Sequence, residues 1–190
     1  LAKAGDYKIG VRTLNLFHKD QIDVVNINAH APFPTYDRPL TVEIWYPANT
    51  TEQGGEYPNT YLRDGKTQVT YNGSASRDAA PLKNTGEYPL IVISHGYPGN
   101  RILMSHFGEN LASKGYVVAS IDHTDSMYQD ATLFASTLYN RPRDQKFVLK
   151  TMVEFNASAD HFLENMIDAD NTGLIGYSMG GYGAVISAGG

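Results

Sequence analysis

Residues 7–47 read as antiparallel strand material, with Val11 to Phe17 as one strand candidate and Leu40-Thr41-Val42-Glu43-Ile44-Trp45-Tyr46 as a second. The second alternates with a period of two, which places successive side chains on opposite faces of a sheet. Leu40, Val42, Ile44 and Tyr46 then share one face and Trp45 takes the other. Pro47 has no N–H to give to a ladder and is expected to close that strand. Residues 48–88 are rich in Gly, Asn, Thr and Tyr, show no period, and read as a long excursion with room for one short helix. From Tyr88 the pattern changes. Leu90-Ile91-Val92-Ile93-Ser94 and Tyr116-Val117-Val118-Ala119-Ser120-Ile121 are short continuous apolar runs, the mark of strands buried on both faces, and Thr172 to Gly176 is a third short strand. Between them, Ile102 to Lys114 carries apolar residues at 103, 107 and 111 on one helical face, with Gly115 as the C-cap. A further helix is expected with Pro142 near its start and Phe147, Val148, Met152 and Phe155 along one face, and Gly181 to Ala188 opens another. Strands alternating with helices predict an α/β fold: right-handed crossovers and a mostly parallel sheet covered on both sides, behind antiparallel strands at the start.

Length and composition narrow the class. A chain of 190 residues suits one domain, and 42% hydrophobic against 18% charged residues is globular rather than disordered. The formal net charge of -5 comes without any basic block, which argues against nucleic acid or an anionic membrane surface as partner. No apolar run approaches the length needed to span a bilayer. Cysteine is absent, so disulfides, thiolate metal sites and a cysteine nucleophile are excluded within these 190 residues. The first residue is Leu1, consistent with removal of a leading segment such as a signal peptide. With many tyrosines and few lysines, this gives an expected location outside the cytoplasm, secreted or periplasmic.

Chemistry enters at Gly176-Tyr177-Ser178-Met179-Gly180, directly after the third apolar strand. A nucleophilic serine on an α/β sheet must be lifted off the end of a strand with its oxygen exposed. The tight turn that does so admits only very small residues two before and two after the serine. Gly176 and Gly180 fill those positions, and Gly181 is expected to let the next helix pack close to the sheet. With 18 glycines, composition alone gives roughly 0.1 chance matches to the five-residue pattern, and the strand before and helix after make it specific. A serine nucleophile also needs N–H donors for the developing oxyanion. Met179, at the start of the following helix, offers one. The loop Ser94-His95-Gly96-Tyr97-Pro98-Gly99-Asn100 offers the other, and since Pro98 has no N–H, Tyr97 is the expected donor.

These segments also carry a family resemblance. Tyr88 to Gly96, Gly115 to His123 and Gly176 to Gly181 resemble the platelet-activating-factor acetylhydrolase and dienelactone-hydrolase-like branch of the α/β-hydrolases. The Tyr-Ser-Met-Gly-Gly elbow and the Gly-Tyr-x-Gly loop are similar also to bacterial cutinase-type polyester hydrolases. Arg38-Pro39-Leu40, leading into Trp45-Tyr46-Pro47, is a further match, and the likeness covers residues 38–47 and 88–190. It implies an α/β-hydrolase fold with Ser178 as nucleophile and Tyr97 and Met179 as oxyanion donors. Dienelactone hydrolases proper use cysteine, so a serine here favours ester hydrolysis.

The rest of a triad is missing. In this fold the serine is followed along the chain by an acid and then a histidine, yet residues 179–190 contain no Asp, Glu or His. The chain is therefore expected to be the N-terminal portion (1–190) of a single hydrolase domain, with the Asp and His supplied by a C-terminal polypeptide of the same protein. Upstream, His95 is expected to brace the oxyanion loop. His123, flanked by Asp122 and Asp125, is a candidate for the site floor, with Tyr177 and Tyr128 as further substrate-lining candidates. His106 and His161 read as surface or packing residues, and His18 and His30 lie in the N-terminal region, far from the elbow in sequence. Asp122, Asp125, His123 and Asp130 share no metal-ligand spacing, so no metal is expected. Thr124 to Asn140, with Met127, Tyr128, Leu133, Phe134, Leu138 and Tyr139, reads as a loop over the pocket or as a crossover helix. Arg141 and Arg143 are expected to form local salt bridges rather than to meet a substrate carboxylate. Together these features predict a cofactor-free serine esterase acting on a small ester, lipid or polyester through an acyl-enzyme. The alternatives are a non-catalytic hydrolase-like binding protein and a serine peptidase of the same fold.

Overall fold

The computed structural model describes residues 2–29, 32–52, 54–83 and 86–190; His30 lies outside the described residues. In chain order the strands are β1 (Ile9–Ile22), β2 (Thr35–Asn49), β3 (Gly55–Tyr61), β4 (Gln68–Gly73), β5 (Ser76–Arg77), β6 (Ala80–Pro81), β7 (Tyr88–Ser94), β8 (Val117–His123) and β9 (Ile167–Gly176). The α-helices are α1 (Ser105–Ala112), α2 (Phe134–Asn156) and α3 (Met179–Ser187). The main sheet runs β5-β1-β2-β8-β7-β9, with β6 on β2. It is mixed. β8, β7 and β9 are parallel, as helical crossovers require, whereas β1 and β2 form a long antiparallel ribbon and β2 also runs antiparallel to β8. β9 closes one end of the order, with β7 as its neighbour. No described helix is long and apolar enough to cross a membrane.

Both faces of the sheet are covered, which is why β7 and β8 read as unbroken apolar runs. On one face Leu40, Val42, Leu90, Val92, Ala119 and Ile121 pack with Val148 and Met152 of α2. On the other, Trp45, Ile93 and Val118 pack with Ala112 of α1. A Cβ on Gly108 would come within 2.5 Å of the Trp45 ring, so this glycine sets how closely α1 approaches the sheet.

Three expectations change. Pro47 does not end β2: it pairs with Ile9 and the strand continues to Asn49. The Ala48 N–H points to β1, donating to the Lys8 carbonyl, so the Pro47 nitrogen faces the other way, past the Trp45–Val118 pair that ends the β8 ladder. On that edge the Pro47 carbonyl still accepts the Leu82 N–H at 3.0 Å, and β6 takes over where the β8 ladder stops. Residues 48–88 hold no described helix but a β3–β4 hairpin, tied at its turn by Asp64, whose carboxylate accepts the Lys66 and Thr67 N–H groups and the Thr67 hydroxyl. Trp45 Nε1 donates to Tyr57 Oη (2.7 Å) and Tyr57 donates to Glu109 (2.6 Å), which clamps the hairpin to α1. Finally, α2 starts at Phe134, so Pro142 lies inside the helix rather than early in it. Proline leaves the carbonyl four residues back without its helical donor. That carbonyl, Leu138, accepts the Tyr182 hydroxyl of α3 at 3.3 Å instead.

Candidate active site

The end of β9 turns sharply into α3, and Ser178 sits at the turn with φ 54° and ψ -116°. This conformation is strained for a residue with a Cβ and lifts the serine out of the strand. Ser178 is exposed, and no described residue hydrogen-bonds its hydroxyl. A Cβ on Gly176 would fall inside the Gly180 carbonyl, and one on Gly180 inside the Ser94 carbonyl, so both positions demand glycine. Gly181 does not: its Cβ would meet the Gly176 carbonyl at 3.4 Å, ordinary contact, and close packing of α3 rests on Gly180 instead. The turn is anchored by the Tyr177 N–H donating to the Ser94 carbonyl at 3.0 Å.

The loop after β7 lies beside this serine. A Cβ on Gly96 would be 3.3 Å from Ser178 Cβ and 3.2 Å from the Tyr177 ring. Tyr97 and Met179 therefore flank the elbow from the loop and from the first position of α3, and neither backbone N–H takes part in a hydrogen bond among the described residues. The Tyr97 ring meets Phe134 edge-on at 5.1 Å. Around the elbow, Tyr177 (59% exposed), Phe134, Leu138 and Tyr182 form an exposed apolar and aromatic rim. Tyr128 donates its N–H to the Gly99 carbonyl of this loop at 3.1 Å and lines a groove of about 320 Å³ with Tyr61, Tyr71 and Leu103.

Beneath the loop, the first half of α2 is turned inside out. Ser136, Thr137, Asn140, Arg141, Asp144 and Gln145 are buried, whereas Phe134 and Leu138 are exposed. Residues 124–133 are loop and 134–140 belong to α2, whose apolar Phe134 and Leu138 do not pack inward as a crossover helix's own face would. The buried polar face is consumed by a network. Asp144 accepts two bonds from Arg38 (Nε 2.9 Å, Nη2 3.1 Å), and Arg38 Nη1 reaches Asp125 at 2.8 Å. Burial alone would lower the Arg38 pKa, but Asp144 carries it above its ordinary value. Burial pushes the Asp144 carboxyl up against the opposing pull of Arg38.

His123 belongs to this network, not to the site floor. It is 1% exposed, with Nδ1 2.9 Å from Asp144 and Nε2 2.9 Å from Ser94 Oγ. Ser94, His123 and Asp144 thus have the spacing of a catalytic triad, but all three are sealed from solvent, so the substrate-lining expectation for His123 fails on access. Its pairing carboxylate is Asp144 rather than the sequence neighbours. Asp122 is taken by Arg101 (2.6 Å) and Asp125 by Arg38 and the Ser136 hydroxyl. His95 braces the loop, its Nδ1–H donating to the Gly96 carbonyl at 2.6 Å and its Nε2 accepting the His123 N–H at 3.3 Å. Burial holds both rings well below their ordinary pKa, so both are neutral. His18 stacks on Phe147, His161 on Phe155, and His106 is exposed beside Phe107.

The arginine expectations also change. Arg143 lies over the Tyr139 ring and donates to the Tyr139 carbonyl at 2.6 Å. Arg141 makes no salt bridge among the described residues. It donates to the carbonyls of His95 (2.9 Å) and Gly96 (3.3 Å) and to Ser126 Oγ. Gln145, one turn on, donates to the Gly180 carbonyl at 3.0 Å. Neither residue falls in a recognisable motif. The available signal was the recurrence of polar residues at 136, 137, 140, 141, 144 and 145, a helical period carried by the wrong kind of side chain.

Comparison with known proteins agrees with this architecture. The family model described as platelet-activating factor acetylhydrolase, isoform II, matches residues 2–166, a stretch that ends before the elbow. A platelet-activating factor acetylhydrolase of Cavia porcellus is 30% identical over 125 residues, 64% of this chain and 28% of that protein. Cutinase est2 of Thermobifida alba is 32% identical over 103 residues, 54% of this chain and 31% of that one. The chain thus spans under a third of the length of these curated relatives. Among solved structures, a ferulic acid esterase from Streptomyces cinnamoneus superposes with a TM-score of 0.69 at 26% identity, covering 98% of this chain and 57% of that one.

Proposed function

Because the chain belongs to the platelet-activating factor acetylhydrolase isoform II family of α/β-hydrolases, we propose that it carries the nucleophile and oxyanion half of a serine esterase. The observation that carries the reading is the elbow: an exposed Ser178 at positive φ, enforced by Gly176 and Gly180, with the Gly96 backbone against its Cβ. In the proposed reaction Ser178 Oγ attacks the ester carbonyl and its proton passes to a histidine. The Tyr97 and Met179 N–H groups receive the oxyanion, with the α3 N-terminal dipole adding to the field. Collapse expels the alcohol, and water then hydrolyses the acyl-enzyme.

In this reading the base comes from outside residues 1–190. No described histidine or carboxylate hydrogen-bonds the Ser178 hydroxyl; His123 is engaged with Ser94, His95 with the Gly96 carbonyl, and His18, His106 and His161 with neighbouring rings. The proposal therefore assigns the histidine and its acid partner to further chain of the same protein, of which 1–190 would be the N-terminal portion. The exposed rim of Phe134, Leu138, Tyr177 and Tyr182 suits an acyl or aromatic ester, in keeping with the names of the similar proteins. An acetyl, aryl or polyester substrate would each place apolar atoms there.

A serine-directed fluorophosphonate tests this on the full protein. The expected result is stoichiometric labelling of Ser178, with esterase turnover and labelling both abolished in Ser178→Ala. Turnover that survives in Ser178→Ala, or label carried on another residue, overturns the proposal.

A further inference from the structure

Arg141 is 1% exposed, yet no carboxylate touches it and its Nε has no partner. A buried guanidinium without a direct counter-ion is costly to hold, and burial lowers its pKa to about 10. The neighbouring Asp144 is already held in two bonds by Arg38. Arg141 gives its donors instead to the His95 and Gly96 carbonyls of the loop beside Ser178 and to Ser126 Oγ. The Gly96 carbonyl it reaches at 3.3 Å is the other end of the peptide unit whose N–H is that of Tyr97. His95 Nδ1 donates to the same oxygen at 2.6 Å. Two donors on one carbonyl, one of them cationic, draw electron density out of the peptide and make its N–H a stronger donor. Arg141 also touches the second donor's element: a Cβ on Gly183 of α3 would lie 2.6 Å from Arg141 Cγ. It thus sits between the loop that carries Tyr97 and the helix that begins at Met179.

We propose that Arg141 is a positioning residue of the oxyanion hole, polarising and aiming the Gly96–Tyr97 peptide from below while fixing its separation from α3. The inference rests on the esterase reading of Ser178. It assigns a role in the transition state, because a polarised N–H gains most when the facing oxygen becomes an anion.

The test uses the full protein with turnover normalised to serines titrated by a fluorophosphonate, so that misfolded molecules are not counted. Arg141→Met is expected to lower kcat per titrated site about tenfold or more, with KM within about twofold, since loss of a whole oxyanion donor costs about a hundredfold or more. Affinity for an aryl boronate, which forms a tetrahedral anion on the serine, is expected to fall in parallel. Arg141→Lys keeps the charge but offers one ammonium where two carbonyls were held, and is expected to fall between. If Arg141→Met gives no cooperative thermal transition, Arg141→Lys carries the test alone, with a drop of about threefold or more expected in both readouts. A purely structural role would lower the melting temperature and the fraction titrated while kcat per site and boronate affinity stayed within twofold of wild type; that result overturns the inference. The two readings fail differently. Turnover surviving in Ser178→Ala removes both, whereas a wild-type Ser178 nucleophile with unaffected Arg141 variants removes only this one.

Discussion

A few residues at the elbow hold unfavourable conformations or tolerate no extra atom, and this makes their substitutions informative. Gly180→Ala drives a Cβ into the Ser94 carbonyl and is expected to cost about 1–3 kcal/mol or more, whereas Gly181→Ala meets only ordinary contact and is expected to stay within about 0.5 kcal/mol of wild type. Urea unfolding of the two variants checks the contrast; equal losses would mean the turn is looser than its geometry shows. Ser178 at φ 54° gives a second test. Strain of about 1–3 kcal/mol, less about 0.5–1 kcal/mol for glycine's unfolded-state entropy, leaves Ser178→Gly more stable than Ser178→Ala by about 1 kcal/mol. Differential scanning calorimetry should place its melting temperature about 2–4 °C higher. At this scale Ser178, Gly176 and Gly180 were legible in the sequence because the turn's sterics restrict identity at fixed offsets. Arg141 and Gln145 were not, since they act through backbone carbonyls that any sequence provides.

Among the elements, α2 departs furthest from its pattern. Apolar periodicity locates a helix by its buried stripe, and in the first half of α2 the stripe is polar while Phe134 and Leu138 face out. Placing Pro142 near the helix start followed from that inversion. β7 and β8 were readable because burial on both faces leaves no alternative composition, while the β3–β4 hairpin escaped because its faces are mostly exposed and its few anchors, Tyr57 above all, carry no period. The Pro142 position has a measurable consequence. Tyr182→Phe removes the donor to the Leu138 carbonyl and is expected to cost about 0.5–1 kcal/mol. In a Pro142→Ala background the helix regains its own N–H for that carbonyl, and the same change is expected to cost close to nothing. A double-mutant cycle by chemical denaturation reads this coupling, and additive losses would rule it out. Arg38→Met, which strands Asp144 and Asp125 without their cation, is expected to cost about 3–5 kcal/mol by the same measurement.

For the molecule as a whole, acid is the expected weakness. His95 and His123 are buried and neutral, with folded pKa values well below the ordinary 6.5. Below pH 6.5 the unfolded chain binds protons that the fold excludes, so the stability they permit is complete above that pH and is lost as pH falls. The slope is about 1.4 kcal/mol per pH unit for each histidine. Asp144, held above its ordinary carboxylate value, takes its proton earlier than it would unfolded and offsets part of the loss only at the acid end. The urea midpoint should be flat from pH 8 to 7 and fall between 6.5 and 5; a flat profile to pH 5 would mean that these rings accept protons in place. The architecture, parallel strands behind an antiparallel ribbon, was readable from pattern, but the charge-bearing interior was not, because Arg38, Asp144 and His123 lie far apart in the chain and only the fold makes them neighbours. The position of β9 at the end of the sheet has its own consequence. A parallel strand with one hydrogen-bonded neighbour presents a row of backbone groups ready to accept another strand. A further strand laid along that row would extend the parallel sheet past β9 and satisfy those groups.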